Sequence, residues 1–451
     1  MFGLQVRYLS FFFGLISILS FFNIIYSYYL NLYLNLNTYY YTLILSLITS
    51  LVFYKIRIPN NKISIFDKIL TVFLGYLIIP IILSIPFYFS IYNLTFLNSY
   101  FESISGFTST GFTIFDNIKH IDQSLILWRS STQWLGGLYF LFSIILLIDI
   151  YDENFKKTLT NFISFDSSEI FKQAIKIFLL YSVLTLVIFS ILNIFSIRSF
   201  NSLNLAFTII SSGGFLPVDN LSLILLNDIQ IIVFSLLMLV SFFSIFLTYN
   251  IIFFKNRNLD FFYEDLNLFL YLIIILVSFF VLFNNDYNYS VTILAITSSI
   301  SNIGLSLESY TYNEFFLYLI LVIIGGSFFS TSSGIGFLKI FSLFRYSINE
   351  ILSYSKPRNI FGGKLLFSKI NFKSNEIYKY FLSIIFFIFL LFFLTSILSL
   401  NDVSFENSFK LSILTIMNTV NSSVYGLANF EFQNLDLTAK IGLILFMIIG
   451  R

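Results

Sequence analysis

Residues 101–140 read FESISGFTSTGFTIFDNIKHIDQSLILWRSSTQWLGGLYF. The stretch changes character at Gly111. Before it, a polar start leads into about ten residues with helical apolar spacing, which close on Thr108-Ser109-Thr110-Gly111. After it, from about residue 123, comes a long apolar run. Ten residues of helix cover about 15 Å, half of a hydrocarbon core of about 30 Å. The first part therefore enters a membrane without crossing it. It reads as a re-entrant hairpin, with a short helix going in and an extended strand coming back. Irregular backbone at that depth survives only when it is buried in protein or lines a wet cavity.

Three other stretches have the same layout, so that hairpins are expected over 98–111, 201–213, 289–304 and 404–421, with tips at Gly111, Gly213, Gly304 and Asn421. Apolar runs flank them near 8–28, 39–54, 68–92, 123–150, 173–197, 222–254, 266–284, 315–346, 378–400 and 435–450. The order span, hairpin, span thus recurs four times after an opening pair of spans. The expected fold is an all-α membrane protein of four fused helix–pore loop–helix units around a pseudo-fourfold pore, plus an N-terminal helix pair. The boundaries read 1–60 for the pair, 61–158, 159–258 and 259–355 for units one to three, the third with an interrupted second helix, and 356–451 for unit four. Its last span holds only about 16 residues, against the ~17 needed to cross, so the last helix reads as truncated.

Composition agrees with this layout. Charged residues make up 11% of the 451, less than half the roughly 25% of soluble domains, which excludes a large water-soluble enzyme. The net charge of +2 is too small for a nucleic-acid footprint. With no Cys and a single His120, disulfides, thiolate nucleophiles and Cys- or His-rich metal sites are excluded; His120 reads as a loop residue. If alternate connections are assigned to one side, 20 of the 25 Lys and Arg fall there, a positive-inside bias. All four hairpins then enter from the opposite face, which carries Glu102, Asp116, Asp219, Glu308, Glu314, Asp402, Glu406 and Glu431.

Four extended strands side by side can replace the water shell of a cation with peptide carbonyls. Short helices ending near the membrane centre point their partly negative C-termini at that cation, and acids at the mouth raise its local concentration. These features favour selective passage of a monovalent cation.

At these residues the chain resembles the Trk/Ktr/HKT potassium transporters. Thr108-Ser109-Thr110-Gly111-Phe112 resembles their first filter strand, and Trp128-Arg129-Ser130 followed by Gln133-Trp134-Leu135-Gly136-Gly137 resembles the helix behind it. Ser211-Ser212-Gly213-Gly214-Phe215 resembles the second strand, and Ser301-Asn302-Ile303-Gly304-Leu305 takes the place of the third. In the fourth, Met417-Asn418-Thr419-Val420-Asn421-Ser422 stands where the family has Asn-Asn, an apolar residue and Gly-Pro, and Asn421 is read at the glycine. Residues 325–335, GGSFFSTSSGI, resemble the loop that interrupts a helix below the filter; Gly325, Gly326, Ser330, Thr331, Gly334 and Ile335 match, and Phe329 departs from a glycine. The extra N-terminal helix pair points to the Trk branch and a TrkH-like membrane subunit.

The resemblance implies potassium uptake through a carbonyl-lined filter of Thr108 to Gly111, Ser211 to Gly213, Asn302 to Gly304 and Thr419 to Asn421, gated by the 325–336 loop with Arg451. It implies no enzymatic activity, no cofactor beyond K+ as cargo, and no nucleic acid. It further implies residence in a bacterial plasma (inner) membrane, a homodimer, and a cytosolic nucleotide-binding regulatory subunit of the TrkA type that would meet the basic linker 356–379. A non-glycine at Asn421 raises the alternative of a sodium-permeable or weakly selective relative. Several residues carry two readings. The 325–336 loop is a gate or a softened kink packed on small residues. Arg129 is an interfacial anchor or the partner of Glu102. Arg451 repels ions below the filter or flanks the inner side. Trp128 and Trp134 read as packing and interface residues.

Overall fold

Polar and apolar residues are distributed inside out. Phe386, Phe389 and Phe393 stand exposed on the outer face, while Ser105, Thr108, Ser211, Asn302 and Asn418 are fully buried at the centre. In water so large an apolar exterior would be a liability; in lipid it is the outer wall. The computed structural model describes residues 6–56, 64–147, 170–245, 247–248, 263–282, 288–307, 314–354, 374–428 and 430–451. All four sequence-derived unit boundaries lie outside the described residues, as do Arg57, Lys62, Lys156, Lys157, Lys255, Arg257, Glu308 and the 356–373 part of the basic linker.

No strand occurs among the described residues. The chain opens with α1 (Val6–Tyr29) and α2 (Leu36–Lys55). Next come α3 (Ile65–Leu83), capped by Ser64, whose side chain accepts from the Asp67 N–H, and a single turn α4 (Ile85–Tyr88). Four short helices, α5 (Phe96–Phe107), α8 (Ser199–Ser211), α11 (Tyr289–Ile300) and α15 (Phe405–Ile416), are the in-going arms of the expected hairpins. At 12 or 13 residues they are about 18–20 Å long, well short of a crossing. The helices behind and between them are α6 (Gln123–Leu146), α7 (Ile170–Ile194), α9 (Asp228–Phe242), α10 (Tyr263–Leu282), α12 (Phe315–Ile324), α13 (Phe337–Ser353), α14 (Ser374–Leu400) and α16 (Leu437–Gly450).

Among the described residues, α1, α2, α3 with α4, α7, α10 and α14 contain segments long and apolar enough to cross a membrane. The chain is an integral membrane protein. The N-terminal pair packs outside the first hairpin unit: Phe12 and Tyr139 lie edge to face at 4.8 Å, and Asn23 Nδ2 donates to Ser124 O at 3.1 Å. The apolar run 222–254 differs from its sequence reading as one span. Its first helix covers Asp228–Phe242, after a 3-10 turn at Leu221–Leu223, and the chain turns extended at Phe243 before helical residues return at Ile245, Leu247 and Thr248. Neighbouring segments, described below, satisfy the backbone freed there.

Candidate functional site

The same hydrogen-bond pattern closes each short helix. Ser109, Ser212, Asn302 and Asn418 all adopt left-handed backbone, with φ of 59°, 56°, 57° and 46°. The following N–H reaches back to the last turn in every case: Thr110 to Ser105, Gly213 to Thr208, Ile303 to Ser298 and Thr419 to Leu414. In three of the four, a hydroxyl at that last-turn position donates onward to the emerging strand, Ser105 to Phe112 O, Thr208 to Phe215 O and Ser298 to Leu305 O. Left-handed backbone is open to Gly and, less readily, to Asn, whose short polar side chain bonds locally; here two Asn and two Ser, all short and polar, mark this position.

This pattern corrects the register of two tips. Two residues beyond the left-handed position stand Gly111, Gly214, Gly304 and Val420. Gly213, read as the second tip, is one place early. Asn421, read at the fourth glycine, is one place late: it is half-buried, lines the cavity above the tips, and its Nδ2 donates to Leu427 O at 3.0 Å. The residue at the glycine level is Val420. Gly111 and Gly304 have φ of 83° and 78°, a region open to glycine, whereas Val420 does not. Matching glycines produced the error; the Ser/Asn position carries the register.

The four tips meet. A Cβ built on Gly111 would lie 2.7 Å from Gly214 Cα and 3.1 Å from Val420 Cβ, and one on Gly304 would lie 2.6 Å from Val420 O. Side chains link the strands into a ring. Asn418 Nδ2 donates to Thr110 Oγ1 at 2.9 Å, Asn302 Nδ2 to Thr419 Oγ1 at 3.2 Å, and Ser212 Oγ to Ser301 O. Arg451 closes the remaining gap, with Nη2 3.4 Å from both Ser109 Oγ and Ser211 O. Asn302 and Asn418 each keep a buried amide oxygen without a donor. Of the sequence-derived filter residues, Thr108 lies just below the ring, where its hydroxyl bonds Ile104 O and Thr110 Oγ1, and Ile303 is buried beside Asn302.

Above the ring is a cavity of about 460 Å³ lined by Gly111, Gly214, Leu305 and Val420, with Asp116, Asp219 and Glu431 on its walls. All four returning strands line this one cavity, so all four hairpins descend from the same side. Glu102 and Arg129 brace it from behind. Arg129 Nε donates to Glu102 Oε1 at 2.9 Å, both side chains being almost fully buried, while Glu102 accepts from the N–H of Ile114 at 2.9 Å and from Thr113 Oγ1 at 3.1 Å. Arg129 is therefore the partner of Glu102, and its guanidinium also stacks 4.3 Å above Phe215. In the second strand Gln133 has this bracing role. With its amide oriented for the network, its oxygen accepts from Gly214 N at 3.0 Å and Phe215 N at 2.9 Å. Gly136 and Gly137 let α6 touch the backbone of two short helices at once, since a Cβ on either would lie 2.8 Å from Phe107 Cα or Ser211 Cα. Trp128 and Trp134 are packing residues, bonded to Leu83 O and Thr185 Oγ1. His120 is exposed in the connecting loop.

Below the ring, the chain leaves α12 at Gly325 and resumes helix at Phe337. Gly325, Gly334 and Gly336 have φ of 67°, 101° and 97°. Gly326 packs on the Phe242 carbonyl, and Ser330 bonds Ser327 O and Ser332 Oγ. Thr331 Oγ1 donates to Ile210 O at 2.8 Å, under the second tip, and Arg451 Nη1 donates to Ser333 Oγ at 2.9 Å. The loop also completes the broken end of α9: Ser327 N donates to Phe242 O, Ser332 N to Ser241 O, and Ile245 N to Phe329 O. Two acids at the start of α10 hold this junction. Glu264 accepts from Phe328 N at 3.0 Å and Asp265 from Ser244 N at 2.9 Å. The sequence reading had not singled these acids out; an adjacent Glu-Asp opening an apolar span was their signal.

No protein-family model matches the chain. An uncharacterized cation transporter of Methanocaldococcus jannaschii is 24% identical over 295 residues, 62% of this chain and 59% of that protein, so the match spans less than two thirds of this relative. The Trk system potassium uptake protein TrkG of Escherichia coli is 23% identical over 411 residues, 85% of this chain and 82% of TrkG. The crystal structure of the potassium transporter TrkH from Vibrio parahaemolyticus superposes with a TM-score of 0.82 at 17% identity, covering 99% of this chain and 95% of that one. In sequence the chain is thus similar to the Trk system potassium uptake proteins, and it has the fold of TrkH.

Proposed function

We propose that the chain is a potassium-uptake subunit, in which a K+ ion leaves the acid-walled cavity, sheds water into the ring of strand carbonyls, and exits past the 325–336 loop. The observation that carries this reading is the convergence of four short-helix tips, all from one side, at the floor of that cavity. Carbonyls stand in for the hydration shell. The C-termini of α5, α8, α11 and α15 contribute partial negative charge to the same point, and two donor-free amide oxygens of Asn302 and Asn418 lie at its level. Potassium is the choice because the relatives with the longest matches are named for its uptake.

The loop and Arg451 act as the gate in this reading. A guanidinium directly beneath Ser109 and Ser211 opposes a cation leaving the ring, and the loop must give up its bonds to Ile210 O and Arg451 for the path to open. The chain performs no enzymatic turnover and needs no cofactor; K+ is cargo. A homodimer in the plasma membrane, with a cytosolic nucleotide-binding subunit of the TrkA type, completes the proposal. The weakly selective alternative rested on a non-glycine at the fourth level; that ground passes from Asn421 to Val420, and the potassium reading is preferred on the relatives.

Expression in a bacterial strain that lacks its own potassium uptake tests the reading. Growth on low potassium should be restored, and deleting 327–333 should make the pore leakier. An inserted chain that restores no growth, together with a well-folded deletion that conducts no better, would contradict both halves.

A further inference from the structure

We propose that Val420 limits the rate of the pore: its isopropyl group stands inside the ring, where each of the other three strands has glycine. The inference rests on the cation-transport reading above and deepens it.

One side chain reaches all three neighbouring strands. A Cβ on Gly111 would come 3.1 Å from Val420 Cβ, one on Gly304 would come 3.0 Å from Val420 Cγ1, and one on Gly214 would overlap Val420 Cβ. Only a group at the centre of four strands can contact the other three in this way. Val420 is also on the floor of the cavity, together with Gly111 and Gly214, and is 8% exposed. Valine leaves the turn below it intact and changes the backbone only at its own level, where the positive φ of Gly111 and Gly304 is absent. The left-handed Asn418 and the Thr419 to Leu414 bond match those of the other three strands.

The chemistry of the group sets its effect. A dehydrated cation gains from oxygen ligands, and an isopropyl offers none. Valine is branched at Cβ and stiff at χ1, so it does not swing aside as an unbranched side chain would. Its neighbours are backbone, which leaves it little room to move. Asn421, the adjacent polar residue, bonds Leu427 O and does not fill the ring in its place. An ion must therefore pass a hydrocarbon group at the point where the other strands present bare backbone.

The test is ⁸⁶Rb⁺ uptake into proteoliposomes by the full chain and by Val420→Gly, Val420→Ala and Val420→Thr, with assembly checked by size exclusion. Val420→Gly should raise the initial rate by about tenfold, the change given by a barrier lower by about 1.4 kcal/mol. Val420→Ala should fall between, and so should Val420→Thr, which keeps the volume but puts a hydroxyl oxygen in the ring. If the glycine variant fails to assemble, the alanine and threonine variants decide alone. Uptake by the original chain that neither Gly nor Ala accelerates overturns the inference and leaves the transport reading standing. Absence of uptake from the original chain and every assembled variant overturns both. A silent original chain that Gly or Ala awakens supports both.

Discussion

The first and fourth hairpins share the turn that closes their short helix and differ in what holds them. Both end a 12-residue helix in a left-handed residue, Ser109 or Asn418, and both bond the next N–H to the last turn. The first is then pinned by a buried ion pair, Arg129 with Glu102, that also ties down its returning strand. The fourth has a pair of another kind: Lys410 meets Glu406 at 2.6 Å, but Glu406 is 70% exposed. The first places Gly111 in the ring, and the fourth places Val420 there. Hairpin geometry is thus set by the turn and its Ser or Asn, and the ring residue and the outer brace are free to vary between repeats.

Breaking the two braces should separate them most strongly. Arg129→Met leaves the Glu102 carboxylate buried and unpaired, and should cost roughly 3–5 kcal/mol, read as a large drop in the detergent melting temperature. Glu406→Ala removes an exposed carboxylate screened by water, and buried Lys410 keeps the Phe315 ring at 3.9 Å, so the loss should be smaller, about 1 kcal/mol. Equal losses would mean that the two braces are equivalent. Asn418→Ala comes next. It loses the bonds to Thr110 Oγ1 and Met447 O, both at 2.9 Å, and puts alanine at a φ of 46°. Unsatisfied buried groups and the left-handed strain together give about 2–4 kcal/mol, again measured by melting. The smallest effect belongs to Asn421→Gly, which lies outside the ring. Rubidium uptake should change by less than about twofold, a barrier change under roughly 0.5 kcal/mol; a marked shift in rate or in sodium entry would return Asn421 to the filter.

The layout was legible in the sequence because lipid imposes it. Half-length amphipathic stretches that end in Ser, Thr, Gly or Asn have few other uses, and all four appear where expected. The broken helix at 325–336 was legible from its glycines and hydroxyls. The register of the fourth tip was not, since a search for glycine slides past a strand that has none. Asn418 becomes the marker only when its φ is seen beside those of Ser109, Ser212 and Asn302. The end of α9 at Phe242 was hidden for a different reason. Apolar residues continue beyond it, and the bonds that end the helix come from Asp265 and from a loop more than 80 residues away in sequence. The partner of Arg129 was open in sequence because an anchor and a buried pair use the same residue; Glu102, 27 positions earlier, decides it.

Rubidium uptake into proteoliposomes by the full chain and by Gly304→Ala tests the ring most directly. At a φ of 78°, a methyl group there would sit 2.6 Å from the Val420 carbonyl and crowd the point where the strands meet. The prediction is uptake above protein-free vesicles, suppressed by excess potassium and lost in Gly304→Ala. Uptake at full rate by a correctly assembled Gly304→Ala protein would contradict passage through the ring.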